Sequence, residues 1–381
     1  VREDQVVAFS ASSPFIVIAG PLPPPVHGFS YITQEMARLL AEHHGTAIID
    51  LAPHTQRGGI RYHLRRLRLT LGGLLPLLRH RRKTPRAFYV ACEGNLGIVY
   101  TIILSLFARL LGYPVFIHHH SFGYIERHSA LMSLLLRASG AAVTHIFLCP
   151  EMAQRFAIRY RRSVRFQIVS NSAFVDEVSG RQKPGIGERP LVVGLLSNLN
   201  DEKGLGLFLE LLGECHRKKL GIRGILAGPP QSPVEREAIR NACAERGGVL
   251  DYRGPVYGDA KDAFYGDIDV FVFPTRYANE AQPTVIFEAL AHGIPVLSYE
   301  RGCICSQVLS HGAVAPRAKP FVPFALDWLE RQIASPEAFS RLRLDAQAAF
   351  KEDRRTARQA AASIFVSPPA TADGAQQRKA S

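Results

Sequence analysis

No uncharged apolar run in the sequence reaches the roughly 20 residues that a bilayer-crossing helix needs. The longest, Gly94–Ala108, has the length of a core helix instead. Cysteine is sparse, six in 381 residues, and Cys92, Cys149, Cys215, Cys243, Cys303 and Cys305 are scattered. No C-x-x-C pair and no Cys/His cluster has zinc-ligand spacing, which excludes the common structural zinc sites. The opening V-R-E-D-Q lacks the charged-then-apolar layout of a secretory leader. There is no G-x-G-x-x-G and no internal repeat. The most local absence is of acid: between Asp50 and Glu93 there is no Asp or Glu at all.

What is present is ordinary globular composition, 47% hydrophobic and 21% charged, over enough chain for two domains. A formal charge of +13 points to an anionic partner: nucleic acid, an acidic membrane surface or a phosphorylated substrate. The acid-free span concentrates that charge in Arg57, Arg61, Arg65, Arg66, Arg68, Arg79, Arg81, Arg82, Lys83 and Arg86. Leu64, Leu67, Leu71, Leu74, Leu75 and Leu78 recur there at helical spacing, broken by Gly72–Gly73 and Pro76. A basic amphipathic helix of this kind lies on anionic membrane, with Arg61, Arg65, Arg66 and Arg68 as its membrane or acceptor contacts. The competing reading turns the leucines into the core and leaves the basic face solvated. Nucleic acid is not expected, because no binding motif and no interleaved aromatic platform accompanies the arginines.

The rest alternates strand and helix twice over. Phe15–Ala19 reads as a buried strand that runs into G-P-L-P-P-P-V-H-G, ending at Gly28, and then a helix near 29–43. Further strands are expected at Thr46–Asp50, Phe88–Cys92, Val115–Ile117, Val143–Leu148 and Phe166–Val169. His118–His119–His120 stand at a strand's C-terminal end, where α/β sheets bind ligands; alternation sends His118 and His120 to one side and His119 to the other. A polar Gly/Pro-containing stretch over 175–189 reads as a linker. Strands then resume at Leu191–Leu196, Gly224–Ala227 and Leu250–Tyr252, and S-N-L-N-D-E-K-G follows the first of these. The pattern argues two doubly wound parallel sheets with a cleft between them.

The most informative segment is Asp267–Ser298. Val270–Phe273 is a buried strand, Pro274–Pro283 a polar loop, Thr284–His292 a helix stopped by Gly293, and Ile294–Ser298 a second strand. Strand, loop and helix N-terminus are the parts of an anion site. Glu280 lies in the loop and Glu288 in the helix, eight residues later. Asp267–Ile268–Asp269 precedes its strand and reads as a surface turn, so no metal is expected.

Four pieces in order, L-L-S-N-L-N-D-E-K-G at 195–204, I-L-A-G-P at 225–229, Y-R-G-P-V at 252–256 and E-A-Q-P-T-V-I-F-E-A-L-A-H-G-I-P-V at 280–296, resemble the donor domain of the retaining glycosyltransferase family 4. The last piece is similar to that family's E-x7-E element, and G-P-L-P-P-P-V-H-G to its first glycine loop. The resemblance covers roughly residues 15–360 and is strongest over 191–307. It implies a GT-B fold of the α/β class, two Rossmann-like domains facing each other across a cleft. The expected divisions are 1–174 for the acceptor-side domain, 175–189 for a linker, 190–320 for the nucleotide-sugar domain, 321–366 for helices packing back toward the first domain, and 367–381 for a disordered tail.

The resemblance further implies a hexosyl transfer, with retention, from a nucleotide-diphosphate sugar to a saccharide acceptor. No cofactor is needed beyond this co-substrate. Lys203 and the amides near Thr284 and Val285 would stabilise the departing diphosphate, and Glu288 would accept the ribose hydroxyls. Glu280 would approach the sugar in a pocket shaped by Ala281, Gln282 and Pro283. His120 and Gly28 would line the cleft from the first domain. Asn198 is a departure, because many relatives carry arginine five residues before the lysine; Arg276 is the candidate replacement. With the basic helix, the resemblance suggests a lipid-linked acceptor in polysaccharide assembly at the cytoplasmic face of the plasma membrane. A nucleotide-sugar 2-epimerase shares the architecture, and a non-catalytic basic membrane-surface or nucleic-acid-binding protein on a degenerate transferase fold is the remaining alternative.

Overall fold

The structure, a computed structural model, describes residues 13–53, 59–178, 189–245, 248–366 and 369–371. The chain forms two compact units, Val1–Phe174 with Thr356–Ser381, and Val175–Arg355.

In the first unit the strands are β1 (Phe15–Gly20), β2 (Thr46–Asp50), β3 (Arg86–Cys92), β4 (Val115–His119), β5 (Thr144–Phe147) and β6 (Arg165–Ile168). They pair in parallel in the order β2-β1-β3-β4-β5-β6. Parallel sheets are covered on both faces, so their strands read as continuous apolar runs; Ile16, Val17, Ile18, Phe88, Tyr89 and Val90 are accordingly buried. In the second unit β7 (Leu191–Leu196), β8 (Ile222–Ala227), β9 (Leu250–Tyr252), β10 (Val270–Phe273), β11 (Val296–Tyr299) and β12 (Gly312–Ala315) are parallel in the order β12-β11-β10-β7-β8-β9. Strand order reverses between β1 and β3 in the first sheet and between β7 and β10 in the second. Those reversals are the crevices in which open α/β sheets hold ligands.

The ends of the chain differ from the expectation. The helix Phe321–Ala334 packs into the core of the second unit through Phe321, Val322, Trp328 and Leu329. The long helix Pro336–Ala362 begins there, with Phe339 and Phe350, and ends in the first unit, where Ala357 and Ala361 join the core. Only the last part of 321–366 therefore returns to the first unit. Ala370–Thr371, placed in the expected disordered tail, forms β13, antiparallel to β6; residues 367–368 and 372–381 lie outside the described residues. So do 179–188 of the expected linker, whose first residue, Val175, is buried in the second unit's core.

Candidate functional site

The loops after β7 and β10 meet at the reversal of strand order in the second unit. Gly204 makes this approach possible. It has φ +90°, and a Cβ there would lie 2.6 Å from the carbonyl oxygen of Pro274. Only glycine accepts both that backbone and that contact. The neighbouring Lys203 has its amide bonded to Asn200 Oδ1 at 2.8 Å, which turns its side chain toward the β10 loop. Its ammonium reaches Glu280 Oε2 at 2.5 Å and sits 4.5 Å from the ring centre of Tyr277. Thr275 Oγ1 donates to the same carboxylate oxygen at 3.2 Å. Lys203 and Glu280 are thus brought together, with Thr275 and Tyr277 as partners that their positions in a polar loop did not signal.

Ala281 and Gln282 are buried beneath this pair. Gly302, at φ +49°, lies close to the backbone of Glu280 and Ala281; a Cβ there would stand 2.3 Å from Ala281 O. The helix Thr284–Ala291 starts directly after Pro283. The amides of Thr284 and Val285 belong to its first turn, which has no intrahelical acceptor for them and carries the positive end of the helix dipole. Asn198 is exposed at the end of β7. Arg276 is paired with Asp201 at 2.6 Å.

Glu288 faces the helix Asp259–Asp267. Lys261 Nζ lies 3.0 Å from its Oε1, and the Tyr265 hydroxyl donates to its Oε2 at 3.0 Å. Burial first, then the Glu288 charge, pushes the Tyr265 phenol well above its ordinary range, so it remains a donor. Lys261 and Tyr265 are spaced i, i+4, one face of a helix; that spacing is visible in sequence, but its target is not.

Asp269 corrects the reading of a surface turn. It is fully buried, held by both terminal guanidinium nitrogens of Arg189 at 2.7 Å and by the Val192 amide at 2.9 Å. Asp267 pairs with Arg253 at 2.7 Å. The two acids therefore serve separate arginines at the start of β10. Among the described residues no cluster of three His, Cys, Asp or Glu is arranged to hold a metal.

In the first unit the histidines alternate as expected. His118 and His120 share one side, ring centres 4.1 Å apart, and His118 Nδ1 is 2.6 Å from the Tyr89 hydroxyl. His119 points the other way, to Tyr124 and to His145 Nδ1, each at 2.9 Å. His120 packs against Phe29 at 4.9 Å, next to Gly28 at the start of the helix Gly28–His43, and a Cβ on Gly28 would meet open space. Burial pushes the His120 and His145 imidazoles down to about 3, and burial together with neighbouring histidines pushes His118 and His119 well below the usual value. These rings are neutral at pH 7. The Nε2 atoms of His118 and His120 are buried without a hydrogen-bond partner.

The acid-free span forms the helices Gly59–Gly72 and Leu74–His80. Leu77 is buried, but Ile60, Leu64, Leu67 and Leu71, at i, i+4, i+7 and i+11, are all exposed, a single outward stripe. Arg61, Arg65 and Arg68 are exposed alongside it. Arg66 must be corrected. It points inward, forming a two-pronged pair with Glu93 at 2.5 and 3.0 Å and stacking 4.4 Å over Tyr100. No described helix is long and apolar enough to cross a membrane. Arg57 lies outside the described residues.

Comparison with known proteins adds a family match over part of the chain. Residues 190–323 match the family model described as "Glycosyl transferases group 1". Alpha-D-kanosaminyltransferase of Streptomyces kanamyceticus is 24% identical over 305 residues, 71% of this chain and 75% of that protein. Anabaena HepE, solved in complex with UDP, superposes with a TM-score of 0.68 at 15% identity, covering 92% of this chain and 99% of its own. WaaG, a glycosyltransferase involved in lipopolysaccharide biosynthesis, gives 0.61 at 13% identity with the same coverage. The fold is therefore GT-B, two Rossmann-like domains.

Proposed function

We propose that this chain, whose residues 190–323 form a group 1 glycosyltransferase domain, transfers a hexosyl group from a nucleotide-diphosphate sugar with retention of configuration. The observation that carries the reading is the Lys203–Glu280 pair beside the start of the helix Thr284–Ala291, at the reversal of strand order. As the bond to the leaving nucleotide breaks, negative charge grows on the terminal phosphate. An ammonium with three donors can hold Glu280 and still meet that phosphate, and the amides of Thr284 and Val285 add the helix dipole. Glu288 accepts the ribose hydroxyls, and Glu280 addresses the sugar beside Ala281, Gln282 and Pro283. Asn198 completes the donor contacts within the second unit; in the first unit, His120 offers a neutral imidazole for a sugar hydroxyl, beside Gly28.

Each glutamate already has its own cation, Lys203 for Glu280 and Lys261 for Glu288. Neither is a free carboxylate poised as a glycosidase nucleophile or acid. That supports a front-face route without a covalent intermediate. Transfer by this route calls for no metal ion. The exposed Ile60–Leu71 stripe and Arg61, Arg65 and Arg68 support peripheral attachment to anionic lipid at the cytoplasmic membrane face, and hence a lipid-linked saccharide acceptor. WaaG's place in lipopolysaccharide synthesis fits that acceptor class.

The test is a thermal-shift screen of UDP-, GDP- and ADP-sugars, followed by transfer assays with lipid-diphosphate acceptors. Stabilisation by one nucleotide class and acceptor-dependent release of that nucleoside diphosphate are expected. Epimerisation of the sugar without an acceptor, or no nucleotide binding, would overturn the reading.

A further inference from the structure

We infer that Lys261, with Tyr265 behind it, is a positioning residue for ribose recognition, setting the carboxylate of Glu288 so that both oxygens are offered to the 2′- and 3′-hydroxyls. The inference rests on the donor site proposed above and assigns a role to a residue outside the loops that built it.

An ionised carboxylate has about four acceptor positions, two on each oxygen. Lys261 takes one on Oε1 and Tyr265 one on Oε2, each at 3.0 Å. One acceptor position per oxygen remains, and a vicinal diol presents two hydroxyls. A carboxylate bound from behind at one oxygen only could swing and offer a single acceptor. Tyr265 is anchored independently of Glu288 through its ring, which is fully buried and stacked 5.0 Å from His292. Lys261 is the more exposed member, on the first turn of its helix with 35% of its side chain exposed. An ion pair this accessible contributes little to folding. Its consequence lies in the direction Glu288 faces, as outer-sphere partners orient metal ligands.

The experiment compares binding of UDP, 2′-deoxy-UDP and 3′-deoxy-UDP by titration calorimetry, with the GDP or ADP series substituted if the donor screen selects it. Lys261→Met is expected to weaken the ribonucleotide about tenfold, the size of a typical coupled pair. It should weaken the deoxy nucleotides much less, because part of the contact is already gone. In turnover, donor KM should rise with kcat nearly unchanged, and Lys261→Arg should recover most of the loss. Equal weakening of all three nucleotides would place Lys261 on the base or phosphates and overturn the inference, as would unchanged affinity for the ribonucleotide. Glu288→Gln separates the two levels. If it leaves ribonucleotide affinity intact, the donor-site reading itself fails; if it weakens binding while Lys261→Met does not, only the positioning role fails.

Discussion

Replacing Leu64 and Leu71 by serine should strip the chain from anionic vesicles without unfolding it. Leu64 is 59% and Leu71 53% exposed. Fully burying a leucine is worth about 1.5–3 kcal/mol, so the exposed half of each contributes roughly 1 kcal/mol on entering the interface. The pair then accounts for about 2 kcal/mol, a fall of roughly 30-fold in partitioning. Neutralising Arg61, Arg65 and Arg68 removes about 1 kcal/mol per charge, or more than 100-fold together. The two variants differ in salt response. The arginine contribution collapses as the Debye length shrinks to about 3 Å at 1 M salt, whereas the leucine contribution persists. The assay is vesicle co-sedimentation with phosphatidylglycerol-containing and neutral liposomes at low and high salt, with Tm measured alongside. Thermal stability should hold, because none of these side chains is buried. Leucine variants that partition like the parent at both salts would refute burial of the stripe in lipid, and a parent that ignores anionic vesicles would leave the whole face solvated.

Lys203→Met should lower transfer by about 10²–10³-fold, the loss usual for one removed transition-state donor, with the fold retained by circular dichroism; near-parental turnover would remove Lys203 from the site. Arg66→Met should destabilise the protein by about 3 kcal/mol by leaving Glu93 unpaired, while Arg65→Met leaves Tm unchanged; equal effects would contradict the inward placement of Arg66. The histidines of the first unit predict acid sensitivity. His120 and His145 fall to about 3 in the fold against about 6.5 unfolded, so the unfolded chain binds more protons below that pH. Stability is complete above about pH 6.5 and declines as pH falls toward 3, by up to about 1.4 kcal/mol per pH unit for each such histidine. A flat Tm between pH 7 and pH 5 would show that the cluster opens to water before it titrates.

The candidate donor site was legible because its residues are contiguous. Val270–Phe273, the loop to Pro283 and the helix after it are one run of chain, so a strand period, a proline and a helix stop locate the anion site. Lys203 also sat at a recognisable strand-to-helix loop, and its partner Glu280 lay inside the run. What joins distant chain was not legible. Lys261 reaches Glu288 from a helix in the preceding crossover, and Asp269 is claimed by Arg189 across the strand start. Periodicity found the leucines of 64–71 on one face, but a period carries no sign: it cannot say whether that face meets core or solvent. Arg66 settles the sign in the structure, since its pair with Glu93 needs the opposite face of the helix turned inward. The two-residue strand β13 carries too few residues for any period to register, and β12, G-A-V-A, has only one large apolar residue to mark it.

Asn198 shifts the electrostatic demand within the donor site. A neutral amide stands exposed at the end of β7, so in the proposed donor site the charge of a diphosphate would fall on Lys203 and the helix start. Lys203 is not idle, being shared with Glu280 at 2.5 Å. Arg276 is the other cation on these loops, and its guanidinium is held by Asp201. That pair is exposed on both sides, and such pairs are worth about 0–1 kcal/mol. A charge-assisted hydrogen bond to a bound phosphate is worth about 1.5–3 kcal/mol, so redirecting Arg276 from Asp201 to the donor costs less than it returns. The backbone already favours this: the Arg276 amide donates to Glu202 O at 2.7 Å, tying the β10 loop to the residue before Lys203. If the proposed donor site holds a diphosphate, Arg276, anchored at its base and weakly held at its tip, is the side chain that would most economically offset the absent arginine.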